Sequence, residues 1–301
     1  MSTEPVAPTA RVGALDEATW RTRARAHAER VDTFIRPHLE RRDAQVKHPV
    51  HDFLFTYYSQ RPAQLRRWHP GVDVELLGGA DDYAPLKGYT ATGDGARVDP
   101  AYVDSQRPLV TALHRLLTAT AARPAHTGCF GLHEWAMVYR LEEDETRHAD
   151  WPLRLGAEGT DEVVESHRIA CSHFDAFRFF TAPARPLNTL SPRRDDRASF
   201  EQPGCLHAGM DLYKHAFRLT PMISSDLVAD CFELAREIRV LDMRAAPYDL
   251  TGLEVDGEPF DPVRIETAEG KRVYAEAQSA FAGRGAPLRA RLIEECERLL
   301  R

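Results

Sequence analysis

The run Ser225–Arg244 sets Leu227, Val228, Cys231, Leu234, Ile238 and Leu241 three or four positions apart. That period places all six on one face of an α-helix, whereas a strand alternates its faces every second residue. A stripe this wide has to be covered by other elements, so it constrains the whole chain. Related patterns recur. Asp16 to Gln45 reads as a long polar helix, with Asp16 as N-cap and Trp20, Ala24, Ala28, Val31, Phe34 and Ile35 on its apolar side. Ala101–Ala122 reads as a helix through Val110, Leu113, Leu116 and Leu117 despite Pro108, and Gly204–Arg218 as another. Buried helices are predicted over His48–Tyr58 and Phe130–Glu142, a turn or two over Pro62–Trp68, and a capped helix over Thr160–His167. Two closing helices, Thr267–Phe281 and Pro287–Leu300, are split by Gly283 and Gly285.

Strand signals are few. Val72–Leu77 alternates apolar and acidic residues, and Asp256–Gly257 marks a hairpin within Leu253–Phe260. Gly78–Pro100 and Pro183–Pro203 read as loops. Ile169–Thr181 suits strand or helix. The expected fold is mainly α with minor β: a globular helical domain over residues 15–301 behind a disordered tail, residues 1–14.

Composition narrows the function classes. The net charge of −7 over 301 residues argues against wholesale nucleic-acid binding, which runs on a basic surface. Five widely spaced cysteines with no Cys-x-x-Cys fit neither a disulfide scaffold nor a zinc ribbon, and suit a reducing cytoplasm. No signal peptide or stretch of about 20 apolar residues is visible, so no membrane partner is expected. Nucleotide-cofactor, phosphate-loop, serine-hydrolase and calcium-loop signatures are absent.

The polar chemistry gathers in two segments, His167–Asp175 and Pro203–His215. In the second, His207, Asp211 and His215 stand at i, i+4 and i+8, on one helical face. Neutral imidazoles with a carboxylate suit Fe(II), Mn or Zn, and the alternative is a helix face with scattered polar residues. In the first, His173 and Asp175 share a face with Cys171 if the segment is a strand, and fan out if it is a helix. Glu165 and His167 lie nearby in either case. The expected metal ligands are therefore His173, Asp175, His207 and Asp211. His133, Glu134 and His215, with Asp175, are the acid–base candidates. His133 and Glu134 interrupt an apolar run, so they complete a site or make a structural bond. His48, His51 and Asp52 suit a cap as well as a site. Cys205 opens a predicted helix, where amide dipoles favour thiolate, and serves as nucleophile, soft metal ligand or plain packing. Cys129, within Thr127–Gly131, ranks behind it, and Cys231 belongs to the core stripe.

Val50–Ser59, Cys171–Thr181, Gln202–Lys214 and Cys231–Leu250 resemble an actinobacterial family usually labelled 3-methyladenine DNA glycosylase, over most of the chain beyond residue 45. The resemblance implies hydrolysis of the N-glycosidic bond of an alkylated purine. An Asp would activate water, with Asp175 or Asp211 in that role near Phe174, Phe177, Phe179 and Tyr213, and DNA would be the partner. The nearest match to a helix-hairpin-helix signature is His69–Asp73, which lacks the final Gly; the Arg193–Arg194 loop is the local basic candidate, offset by Asp195 and Asp196. The leading expectation is an enzyme with a buried His/Asp/Glu site and a divalent metal, acting on a small molecule or modified residue. The glycosylase is the alternative, and a non-catalytic haem- or ligand-binding protein the third.

Overall fold

The computed structural model describes residues 13–141 and 151–301. It is mainly α-helical with two small sheets. Most of the expected disordered tail lies outside the described residues. Its last two residues, Gly13 and Ala14, instead begin strand β1 (Gly13–Leu15). No helix among the described residues is long and apolar enough to cross a membrane.

Helix α1 (Glu17–Asp43) starts where the sequence places its cap: the Asp16 carboxylate accepts from the Thr19 backbone N–H at 2.8 Å. Short helices α2 (Asp52–Tyr57) and α3 (Pro62–Arg66) follow, then strand β2 (Val74–Leu76). The presumed loop 78–100 holds helix α4 (Ala80–Tyr83) and a hairpin of β3 (Tyr89–Thr92) and β4 (Gly95–Val98). Its turn uses Gly93 at φ +77°, a conformation open to glycine. The sheet order is β1-β2-β4-β3, with β1 parallel to β2 and the other pairs antiparallel.

The helix expected over Ala101–Ala122 is two, α5 (Pro100–Ser105) and α6 (Arg107–Ala121). Pro108 falls in the first turn of α6, where its missing N–H has no intrahelical partner to lose. The helix expected over Phe130–Glu142 shortens to α7 (Leu132–Ala136), because Phe130, Gly131 and Arg140 take positive φ around it. Helix α8 (Gly156–Ser166) leads to α9 (Phe174–Phe177), one turn with His173 as N-cap. Helix α10 (Arg197–Phe200) lies in the presumed 183–203 loop.

Helices α11 (Leu206–Arg218) and α12 (Ser225–Arg244) pack on each other and on α13 (Ala268–Leu300), which also lies against α6. The expected break between two closing helices is absent. Gly285 is buried against Leu212 of α11 and Leu234 of α12, and packing on these helices carries α13 through Gly283, Gly285 and Pro287. The Asp256–Gly257 hairpin forms as β5 (Glu254–Val255) and β6 (Glu258–Pro259). The core between these helices holds Tyr213, Phe232, Ile238, Tyr274 and Leu292 at 0–1% exposure. Burying a large apolar side chain this completely is worth about 1.5–3 kcal/mol. That margin is what the buried polar groups described next draw on.

Candidate functional site

Helix α11 carries His207, Asp211 and His215 on one face, and that face is turned inward: all three are at most 7% exposed. The His207 ring stands 4.5 Å from His133 of α7, nearly perpendicular to it, and 5.3 Å from His173 (centroid distances). His133 Nε2 is 3.0 Å from Asp242 Oδ1 of α12. The two are an ion pair when His133 is protonated, although neither atom makes an aligned hydrogen bond. One ligand atom each from His133, His207 and Asp242 lie within 4.8 Å of one another. Ligand atoms each about 2.0–2.2 Å from a common ion are held inside that spread.

Arg239 supports this group from below. It is 0% exposed, pairs with Asp242 at 2.6 Å and Glu134 at 3.2 Å, and lies 3.9 Å over the Phe53 ring. Glu134 Oε1 is 3.9 Å from His133 Nε2, too far for a direct bond.

A second cluster adjoins the first. His173 Nε2 is 3.4 Å from Asp211 Oδ2 and 3.6 Å from Glu201 Oε1. Here the cation is protein: the Arg197 guanidinium bridges Glu201 and Asp211, the latter at 2.8 Å. Lys214 Nζ reaches Asp211 at 3.4 Å and Asp175 at 2.6 Å. Asp175 therefore faces outward. Its side chain borders an open cleft of about 630 Å³, walled by Phe53, Tyr57, Phe179 and Phe217 with Lys214 and Arg178 at its edge.

The electrostatics follow from burial. Burial pushes the His207 imidazole down to about 3, and the same cause takes His215 to about 3, so both are neutral at ordinary pH. Burial also pushes Asp211 up, but His173 and Lys214 outweigh it and hold its pKa well below the carboxylate range. For His133, burial acts downward, yet the Asp242 and Glu134 carboxylates prevail and its pKa is raised. Four interior carboxylates, of Glu134, Glu201, Asp211 and Asp242, face the guanidinia of Arg197 and Arg239, with Lys214 divided between Asp211 and Asp175.

The sequence-derived ligand set is thus redistributed. His173, His207 and Asp211 do converge, together with His133, and Glu134 lies beside them; His215 is buried two turns along α11 from His207, next to Asp211. Asp175 does not join. Because residues 174–177 form a helical turn rather than a strand, Asp175 points away from His173 and is tied to Lys214. Asp242, Arg239, Arg197 and Glu201 were missed. Arg239 and Asp242 form an i,i+3 polar pair on an otherwise apolar helix, a signal hidden by reading only the apolar stripe. Arg197 and Glu201 sit in the Pro183–Pro203 segment, which reads in the sequence as a polar loop long enough to be functional and here carries α10. His51 and Asp52 lie apart from the centre. Asp52 is bonded to His38, Arg41 and the His48 backbone, a structural role. Cys205 is the N-cap of α11, but burial pushes its thiol well above the ordinary value, so the expected dipole-stabilised thiolate does not form by itself.

Comparison with family models, with curated proteins and with solved structures returns no match.

Proposed function

We propose that the chain is an enzyme whose centre is a divalent metal ion held by His133, His207 and Asp242, acting on a small molecule or modified residue. The observation that carries this reading is the convergence of three buried ligand atoms from three helices, two of them without a hydrogen bond. Two imidazoles and a carboxylate suit Fe(II), Mn or Zn; the neutral state of His207 leaves its lone pair available, whereas His133, whose pKa is raised by Asp242, would give up its proton on binding the ion. Such an ion polarises a substrate or activates water or O₂. The rest of the machinery belongs to the chain itself. Asp211 and His173 lie side by side next to the centre, and Lys214 links Asp211 to Asp175 at the cleft. Metal analysis of protein prepared without a histidine tag, repeated on His207→Ala, tests the reading. About one equivalent of Fe, Mn or Zn in the parent and none in the variant is expected. Protein that neither carries nor takes up any of these metals refutes it.

The cleft favours a second reading, the N-glycosidic hydrolase of the family resemblance. Its aromatic walls suit a flipped purine, and Asp175 beside Lys214 would serve the sugar. Incubation with alkylated duplex DNA tests it: release of 3-methyladenine that Asp175→Asn abolishes is the expected outcome, and no release discards it.

A further inference from the structure

The open cleft beside Asp175 is built by three elements, each of which brings a pair of side chains to it. From α2 come Phe53 and Tyr57, four residues apart and stacked with ring centroids 4.8 Å apart. From α9 and its C-terminal end come Asp175 and Arg178, three residues apart, followed by Phe179. From α11 come Lys214 and Arg218, one turn apart, with Phe217 between them in sequence. Burial raises the pKa of the Tyr57 hydroxyl, and the charges of Asp175, Asp211 and Lys214 also act on it, so α2 reaches the polar edge that α9 and α11 supply. The cleft's volume of about 630 Å³ lies in the range of small-molecule pockets, about 300–1,000 Å³.

The charges at this cleft run against those of the chain. The sequence holds 46 acidic and 39 basic residues, yet the described residues that border the cleft include three cations, Arg178, Lys214 and Arg218, and one acid, Asp175. Asp175 directs its two oxygens at two of these cations: Oδ2 lies 2.6 Å from Lys214 Nζ, and Oδ1 lies 3.5 Å from Arg178 Nε. The second contact is too long for a good hydrogen bond. The Arg178 guanidinium lies over Phe179, 4.3 Å from the ring centroid, which fixes its fork at the rim. Lys214 also meets buried Asp211 at 3.4 Å, whose charge Arg197 already faces at 2.8 Å. Arg218 is exposed and makes no ion pair among the described residues. Aromatic walls with convergent, underused cations on one side are the two halves of a site for an anionic ligand with an apolar body.

We propose that the cleft binds a small aromatic anion, its ring against Tyr57, Phe179 and Phe217 and its carboxylate or phosphate on Arg178 and Arg218. Aromatic walls take a ring in offset-stacked or edge-on contact, and a guanidinium fork meets either anionic group with two parallel N–H donors. Asp175 competes with the ligand for the same cations, so its carboxylate sets how tightly the anion is held. The site needs no ion in the interior and stands whether or not His133, His207 and Asp242 hold a metal.

Calorimetric titration of the full chain with 2-naphthoate, 2-naphthyl phosphate and the neutral 2-naphthamide tests this. One equivalent of an anion should bind about tenfold or more tighter than the amide, and the tighter of the two anions identifies the group. Arg218→Gln should weaken the anion about three- to tenfold and leave the amide unchanged. Asp175→Asn should tighten anion binding severalfold by freeing Lys214 and Arg178, an effect that a merely structural role for Asp175 would not produce. Raising NaCl from about 50 to 500 mM should weaken the anion and leave the amide unchanged, a readout on the parent chain that needs no variant to fold. Chelator should alter none of these affinities, which separates this site from the metal centre. Anions bound no tighter than the amide, an Arg218→Gln chain with the preference intact, an Asp175→Asn chain that binds the anion no better, or anion binding lost with chelator overturns the proposal.

Discussion

Replacing His207 by Gln removes one of the three proposed ligands while keeping most of the side-chain volume in a buried position. The consequence can be worked through stability. A ligand that binds only the folded chain, at a hundred times its Kd, stabilises by about 2.7 kcal/mol. Unfolding entropy of roughly 2.1 cal/mol/K per residue over 301 residues gives about 0.6 kcal/mol/K, hence a rise in Tm of about 4–5 °C. Losing even a supporting residue of a metal site costs about 10–100-fold in affinity, and a direct ligand at least that. At the same metal concentration the ratio to Kd falls to about 10 or below, which leaves about 1.4 kcal/mol at most, a shift of about 2 °C or less. The assay is a pair of melts, with chelator and with Mn(II), a metal that thiolates do not select. Asp175→Asn serves as the control. It lies on the cleft side, tied to Lys214, and should keep the full shift. Equal shifts in the parent and in His207→Gln, or loss of the shift in Asp175→Asn, would refute the ligand assignment.

Other outcomes follow from the same physics. Arg197→Leu strips Glu201 and Asp211 of their shared cation in the interior, and should cost about 3–5 kcal/mol in urea unfolding, with part recovered by adding Asp211→Asn. His51 and His69 have pKa values pushed down to about 3, mainly by burial, so the unfolded chain binds protons that the folded chain refuses. Their contribution is whole above the unfolded value near 6.5 and is lost as pH falls toward 3; each should cost about 2 kcal/mol between about pH 7.5 and 5, and His69→Gln should flatten that slope. Asp16→Ala removes the N-cap of α1 and should lower the urea midpoint in the same assay, since the Thr19 N–H loses its partner, whereas Asp16→Asn should largely keep it.

The helices that make the core were legible because burial imposes a period on the sequence. Leu227 through Leu241 on α12 and Trp20 through Ile35 on α1 can lie on one face in only one way, and Asp16 announces where α1 begins. The clustering of His207, Asp211 and His215 was legible for the same reason, as three residues one turn apart must share a side. Where the period is short the reading fails. The β3–β4 hairpin was taken for loop because four-residue strands carry almost no pattern. Glycine and proline are poor helix formers and predict a break in α13, yet its packing along α6, α11 and α12 outweighs that preference.

What the amino-acid order settled by itself, then, is which residues go inside and which side of each helix they occupy, since these depend on neighbours within a turn or two. It could not settle which inward faces meet. Asp242 beside His133 and Arg197 between Glu201 and Asp211 come from segments up to about a hundred residues apart in sequence. Only the packing of α7, α11 and α12 brings their side chains within reach. Electrostatic interaction between such groups falls off with distance and is screened by water, so their charges and proton affinities are fixed once the fold has closed over them.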